Sequence, residues 1–362
     1  MARAPRLLSL DVFRGLTVAA MVVVNNPGTW QAVHPPLRHA DWHGWTPTDV
    51  IFPFFLFIVG VAIPFALPPR ASGAVIARIV RRSAIIFALG LVLNALFGFD
   101  PATIRIPGVL QRIAVCYLLA AVSFITTGWR TQAVVAAVLL VGYWGAMTLV
   151  PVPGYGAGDL GKEGNLAAWI DRALLGPHLW RAGRVYDPEG ILSTVPALAT
   201  VLLGVLTGHW LRSERTPAQK SAGLLAAGVV GVVVGLLWSV VFPINKALWT
   251  SSYAALTAGL ALVALALCHD LIEVRGYRRW ARPFAVLGVN ALALFFLSTL
   301  VAVILLVIRV SGGASVHQVL YQGVFAPLAA PENASLVYAG AYLGVWWLMM
   351  WALSRTGIRL RV

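Results

Sequence analysis

Within its first fifty residues the chain sets two adjacent amides, Asn25 and Asn26, three imidazoles, His34, His39 and His43, and a carboxylate, Asp49. An imidazole with a pKa near 6.5 takes and returns a proton at neutral pH, which suits one of these histidines to general-base work. Three histidines could also suggest zinc by number. Their spacing of five and four residues falls on a Pro-rich loop with no regular helix to present them together, so no metal is expected. Further along come Arg105, Gln111 and Arg112, then Asp187 and Glu189, then Asn245 and Lys246. Guanidinium is a permanently charged donor, so Arg14, Arg105 and Arg112 are candidates for phosphate or carbonyl contacts. Asp11 and Arg14, three residues apart, also read as an intrahelical pair. Asp187-Pro188-Glu189 has the look of a helix start, with Asp as N-cap and Pro at the first helical position.

The elements that position these groups are apolar. Of 362 residues 59% are hydrophobic and 11% charged, against about 25% charged in an ordinary soluble domain. Runs of about 20 apolar residues recur along the whole chain, each long enough to cross a hydrocarbon core of ~30 Å. The fold class is therefore all-α, a polytopic membrane protein of about ten transmembrane helices forming one domain over residues 1–362. The spans are expected at 6–26, 47–68, 75–98, 107–127, 131–150, 189–211, 218–242, 247–272, 283–310 and 334–354. Arg3 and Arg6 before the first apolar run resemble a signal peptide. Asp11 and Arg14 inside that run, with no small-residue cleavage site, make it a retained span instead.

A net charge of +14 would fit nucleic acid, but the basic residues sit in short loops beside the spans, where they report topology. Seventeen lie at the N-terminus or after even-numbered spans, and seven on the other side, namely Arg38, Arg105, Lys162, Arg172, Arg181, Arg184 and Lys246. Both termini are thus expected in the cytoplasm, with outer loops at 27–46, 151–188 and 311–333 and a short amphipathic surface helix at 166–175. No nucleic-acid partner is expected. Cys116 and Cys268 fall in apolar runs and offer no disulfide framework.

This topology sorts the polar residues by depth. Asn25, Asn26, Asp49, Asn94, Arg105, Gln111, Arg112, Asp187, Glu189, Asn245 and Lys246 all gather near outer helix ends, with the three loop histidines. Ionisable groups facing lipid near mid-bilayer cost ~2.5–3.5 kcal/mol or more, so Asp49 and Arg112 should face a polar, outward-opening pocket.

At this point the sequence resembles a known family. The strings Ser9-Leu10-Asp11-Val12-Phe13-Arg14-Gly15 and His39-Ala40-Asp41-Trp42-His43-Gly44-Trp45-Thr46-Pro47-Thr48-Asp49, running into Phe52-Pro53, are similar to heparan-α-glucosaminide N-acetyltransferase and its bacterial relatives. So are Arg105-Ile106-Pro107-Gly108-Val109-Leu110-Gln111-Arg112, the Val150–Gly154 turn, Tyr186-Asp187-Pro188-Glu189-Gly190-Ile191-Leu192 and Pro243-Ile244-Asn245-Lys246-Ala247-Leu248-Trp249. The resemblance runs through all ten expected spans in order. It implies transfer of an acetyl group from acetyl-CoA to a glucosamine amine on the side away from the cytoplasm. The family's active-site histidine falls on His39 and its neighbouring asparagine on Asn25. The chain starts almost at the first core span and has a shorter loop between spans 4 and 5 than the animal enzyme. A small amino sugar or cell-wall glycan fragment is therefore a better expected acceptor than a long polysaccharide end.

On this reading His39 takes a proton from the sugar amine as it attacks the thioester, and Asn25 donates to the developing oxyanion. Asp49 either orients the histidine or binds the amine as a cation. Arg14, Arg105, Gln111 and Arg112 are expected to hold acetyl-CoA, and Asp187, Glu189, Asn245 and Lys246 the acceptor. A covalent acetyl-histidine is the other route. Membrane lipids and a homodimer partner are also implied, in a bacterial inner membrane. An amino-sugar permease is the alternative of a different class, because a polar cavity in a helical bundle serves transport too.

Overall fold

A computed structural model describes residues 7–96, 99–180, 182, 184–310 and 312–356. Of the basic residues in the topology argument, Arg3, Arg6, Arg181, Arg359 and Arg361 lie outside them. The described residues are helical with no strand ladder, only two isolated bridges, Val152–Gly156 and Arg309–Ser315.

The helices are α1 (Leu8–Asn25), α2 (Ile51–Ala66), α3 (Gly73–Ala95), α4 (Val109–Thr126), α5 (Trp129–Leu149), α6 (Leu166–Leu175), α7 (Thr194–Leu211), α8 (Pro217–Trp238), α9 (Ser251–His269), α10 (Ala281–Val289), α11 (Ala291–Val307), α12 (Val316–Leu320) and α13 (Pro331–Arg355). Polar side chains set several starts: the Ser72 hydroxyl accepts from Val75 N, Asn165 from Ala168 N and Thr216 from Gln219 N.

Each expected span is helical. Among the described residues eight helices are long and apolar enough to cross a membrane, nine if α10 and α11 count as one span bent by 76°. The break falls at Asn290, between the two helices. The expected third span, α3, fails this measure because Arg78, Arg81 and Arg82 interrupt its first half. The expected sixth span starts late, at Thr194 rather than near residue 189.

The chain divides into two compact units. The larger holds residues 41–45 and 53–267, and its core pairs α3 with α4, α5 with α7 and α4 with α7. Within it α2 crosses α7 at Gly60 and Gly204, where a Cβ would sit 2.0 Å from the Val201 carbonyl oxygen or 2.1 Å from that of Phe57. Only glycine lets these backbones approach so closely. A second cluster, with Tyr143, Met147, Val152, Leu166 and Phe242 at its heart, seats the amphipathic α6 against α5.

The smaller unit holds residues 7–40, 46–52 and 268–356 of the described chain. Here α1 lies along α10, with Gly15 against Phe284 and Gly288 against the Asp11 carbonyl. The loop after α1 is tied to the start of α13 by Gly28 N to Ser335 O (3.2 Å) and Thr29 N to Ser335 Oγ (3.1 Å).

Candidate active-site residues

In the smaller unit His39 and Asp49 meet, the imidazole Nδ1 lying 2.7 Å from Asp49 Oδ1. Asp49 is 1% exposed, whereas the imidazole is 45% exposed. The short 3₁₀ turn Pro47–Val50 ahead of α2 places the carboxylate. Its second oxygen accepts from Ala40 N and Thr46 N, both at 3.0 Å, and from Thr46 Oγ1. A buried carboxylate held this firmly fixes the ring orientation. With Nδ1–H directed at Asp49, the basic lone pair lies on Nε2.

Asn25 ends α1 with an exposed side chain that has no partner among the described residues. Asn26 differs: its amide is buried and donates back to Val22 O at 2.7 Å, capping its own helix. Arg14 stands eleven residues earlier on α1, about 16 Å along the axis at ~1.5 Å per residue. It pairs with Asp11 (3.2 Å) and reaches the Gly288 carbonyl (3.4 Å), as its i,i+3 spacing anticipates. His34 contacts Asn333 at 3.0 Å.

The larger unit gathers a second constellation. Arg105 grips Asp187 through Nε (2.9 Å) and Nη2 (2.5 Å), and Nη2 also reaches Glu189 at 2.5 Å. Asp187 accepts further bonds from Trp180 N and Glu189 N, so both its oxygens are engaged internally. Asp187 therefore caps no helix, contrary to the reading of its Pro-Glu context. Arg105, 82 residues away in sequence, claims the carboxylate, and turns follow until α7 starts. The paired carboxylates hold the Arg105 guanidinium pKa above its ordinary value, against the opposing effect of burial.

Arg112 is 2% exposed in α4. Its Nη2 donates to Gly190 O and Ser193 Oγ, and the guanidinium lies 5.1 Å from the centre of the Trp249 ring. Its Nε and Nη1 are buried with no partner among the described residues, as is Gln111 Nε2. Unengaged buried donors of this kind mark a place for an acceptor oxygen. Gln111 faces elsewhere, against Gly90 and Gly108. Trp249 adopts the left-handed backbone region at φ 50°, rare for a bulky residue, inside a turn closed by Trp249 N to Lys246 O and Thr250 N to Asn245 O. Asn245 is fully buried. Its Oδ1 caps Leu248 N and its Nδ2 lies 3.4 Å from His43 Nδ1. Burial pushes the His43 pKa down, favouring the neutral ring. Lys246, in the same turn, is half-buried.

Two features escape the sequence reading. Asp171 on α6 is 1% exposed and accepts from Ile191 N at 2.8 Å, with Gly190 packed on its carboxylate. Burial, opposed by the Ile191 N–H, pushes its pKa up to about 6. Its place one turn beyond Ala167 and Ala168 on the buried stripe was the available signal. The other is an aromatic chain, with Tyr186 edge-on to Trp42 (5.0 Å) and to Trp180 (5.9 Å). Among the described residues no group of three or more His, Cys, Asp or Glu could hold a metal ion.

The profile of the family described as "Heparan-alpha-glucosaminide N-acetyltransferase, catalytic" matches residues 6–236. The human heparan-alpha-glucosaminide N-acetyltransferase is 29% identical over 358 residues and the mouse protein 30% identical over 356, each match covering 81% of this chain and 53% of the relative. The chain thus spans about half the length of the curated relatives it matches.

Proposed function

The chain belongs to the heparan-α-glucosaminide N-acetyltransferase catalytic family, and from that premise we propose that this multi-pass membrane protein moves an acetyl group from acetyl-CoA to the amine of a glucosamine-type sugar on the extracytoplasmic side. The observation that carries the chemistry is the His39–Asp49 pair: an exposed imidazole oriented by a buried carboxylate that backbone amides also hold. This geometry supports Asp49 as the orienting group rather than a ligand of the sugar amine.

In the reaction, the free amine attacks the thioester carbonyl and forms the C–N bond. His39 Nε2 takes the ammonium proton that develops on that nitrogen, Asn25 donates to the oxyanion, and collapse breaks the C–S bond. The proton passes from His39 to the departing CoA thiolate. Arg112, with two unengaged donors, is the best-supported of the expected acetyl-CoA contacts, because Arg105 is committed to Asp187 and Glu189. Direct transfer is favoured over an acetyl-histidine, since a single base suffices for it. The protein is assigned to a bacterial inner membrane with both termini inside.

The bend of 76° between α10 and α11 favours a second reading, an amino-sugar permease, since broken helices line transport sites. Purified protein incubated with labelled acetyl-CoA and a panel of amino sugars separates the two. N-acetylated product supports the transferase, and glucosamine uptake into vesicles without acetylation overturns it. Acetylated protein formed in the absence of acceptor would replace direct transfer by the covalent route.

A further inference from the structure

The aromatic chain in the larger unit has a polar complement that the reaction described above does not use. Tyr186 stands between Trp42 and Trp180, edge-on to both at interplanar angles of 68° and 63°. All three rings are half-buried, so each keeps part of its surface open to a ligand. Trp42 is anchored by its indole N–H to Leu160 O at 2.9 Å, and Trp180 by its backbone N–H to Asp187 Oδ2. Trp180 is thus tied to the carboxylate network through its backbone, and Trp42 to the loop that carries Leu160.

Three polar atoms at this spot have no partner among the described residues: the Tyr186 hydroxyl, the Trp180 indole N–H and Glu189 Oε1. Lys162 Nζ lies 5.7 Å from the centre of the Trp42 ring, on the far side of the aromatic chain from the ion pairs, where Arg105 is one cation against two carboxylates, Asp187 and Glu189. That field reaches the rings, since after burial both carboxylates push the Tyr186 pKa up. Aromatic surface with two donors and a carboxylate oxygen matches the C–H face, the hydroxyls and the ammonium of one aminohexose. An ammonium near aromatic rings also gains cation–π attraction.

We infer that Trp42, Tyr186, Trp180 and Glu189 form the subsite that selects a protonated amino sugar over its neutral counterpart, the rings packing on the pyranose and Glu189 Oε1 receiving the ammonium. This inference rests on the acetyltransferase reading and deepens it. It assigns acceptor specificity to the larger unit's own residues and makes the recognised form a cation. The sugar must then release one proton to solvent to become the nucleophile, a step separate from its recognition and from the later transfer to His39.

The test uses the full chain in detergent. Binding of glucosamine, glucose and N-acetylglucosamine is measured by saturation-transfer NMR or calorimetry, with acetyl-CoA binding and acceptor KM measured in parallel. Glucosamine should bind about tenfold more tightly than glucose, the scale of one hydrogen bond to a charged group. Glu189→Gln, which keeps an oxygen for Arg105, should abolish that preference. Tyr186→Phe, which keeps the ring, should raise the acceptor KM several-fold and leave acetyl-CoA affinity unchanged. Equal binding of glucosamine and glucose by the wild type, or a preference that survives Glu189→Gln, would overturn the subsite. A parallel loss of acetyl-CoA affinity would overturn it too, by giving the rings to the donor. Transfer by the wild type with an unchanged acceptor KM in both variants sinks the subsite alone. No transfer to any amino sugar sinks the reading on which it rests.

Discussion

His39 Nδ1 lies 2.7 Å from Asp49 Oδ1, and Asp49 Oδ2 is held by the backbone of Ala40 and Thr46, so one buried carboxylate fixes both the loop and the ring it carries. His39→Ala should lose general-base assistance, typically 10²–10⁴-fold in kcat, while acetyl-CoA binding persists. Asp49→Asn should also lose activity, because an amide can direct its N–H at Nδ1 and favour the wrong tautomer. Near wild-type turnover in His39→Ala on every amino sugar would refute the mechanism.

Orientation is tested by accessibility. In a background lacking Cys116 and Cys268, a cysteine at position 39 or 155 should react with an impermeant maleimide from outside, and one at position 215 only after permeabilisation. Labelling of position 39 solely from the inside would reverse the topology.

Arg105 is the only described cation on both Asp187 and Glu189. Arg105→Ala leaves the buried Asp187 carboxylate uncompensated and should cost about 3 kcal/mol or more, read as a lowered thermal midpoint in detergent. Arg105→Lys, with a point charge in place of the bidentate fork, should fall between. Identical midpoints for all three proteins would show the network to be dispensable.

Asp171 gives a pH signature in stability. Its folded-state pKa of about 6 lies above the ordinary 3.8, so folding favours the protonated form. The group costs nothing where both states are protonated. Its penalty grows as pH rises from about 4 and is complete above about 6, of order 3 kcal/mol at most. Asp171→Asn has no charge to bury, so its thermal midpoint relative to wild type should improve from pH 4.5 to 7.5. A difference independent of pH would show that Asp171 does not titrate in this range.

Arg112→Ala should weaken acetyl-CoA binding by ~1.5–3 kcal/mol if its unengaged donors receive a ligand oxygen. Arg14→Ala should have less effect, since Arg14 is already paired with Asp11 and Gly288. Unchanged donor affinity in the Arg112 variant, with the fold intact, would remove it from the donor site.

Apolar run length was enough to place a helix in every expected span, because crossing ~30 Å of hydrocarbon demands about 20 apolar residues with internal hydrogen bonds, but not to show the break at Asn290 or the late start of α7. The motif around His39 likewise marked that residue in the sequence as the candidate base, the role proposed for it above, and the i,i+3 spacing of Asp11 and Arg14 anticipated their pairing. Local spacing could not reveal which carboxylate belongs to which cation. The Asp187 context reads as a helix cap, yet Arg105, far away in sequence, takes it, and α7 starts at Thr194. Nor could it separate Asn25 from Asn26, which differ in whether the amide turns back onto its own helix. Asp171 and Trp249 look like an ordinary surface charge and an ordinary interfacial aromatic. Their burial depends on α6 docking against α5 and on a left-handed turn beneath Arg112, and such long-range packing decides which polar groups lose water and must find partners inside.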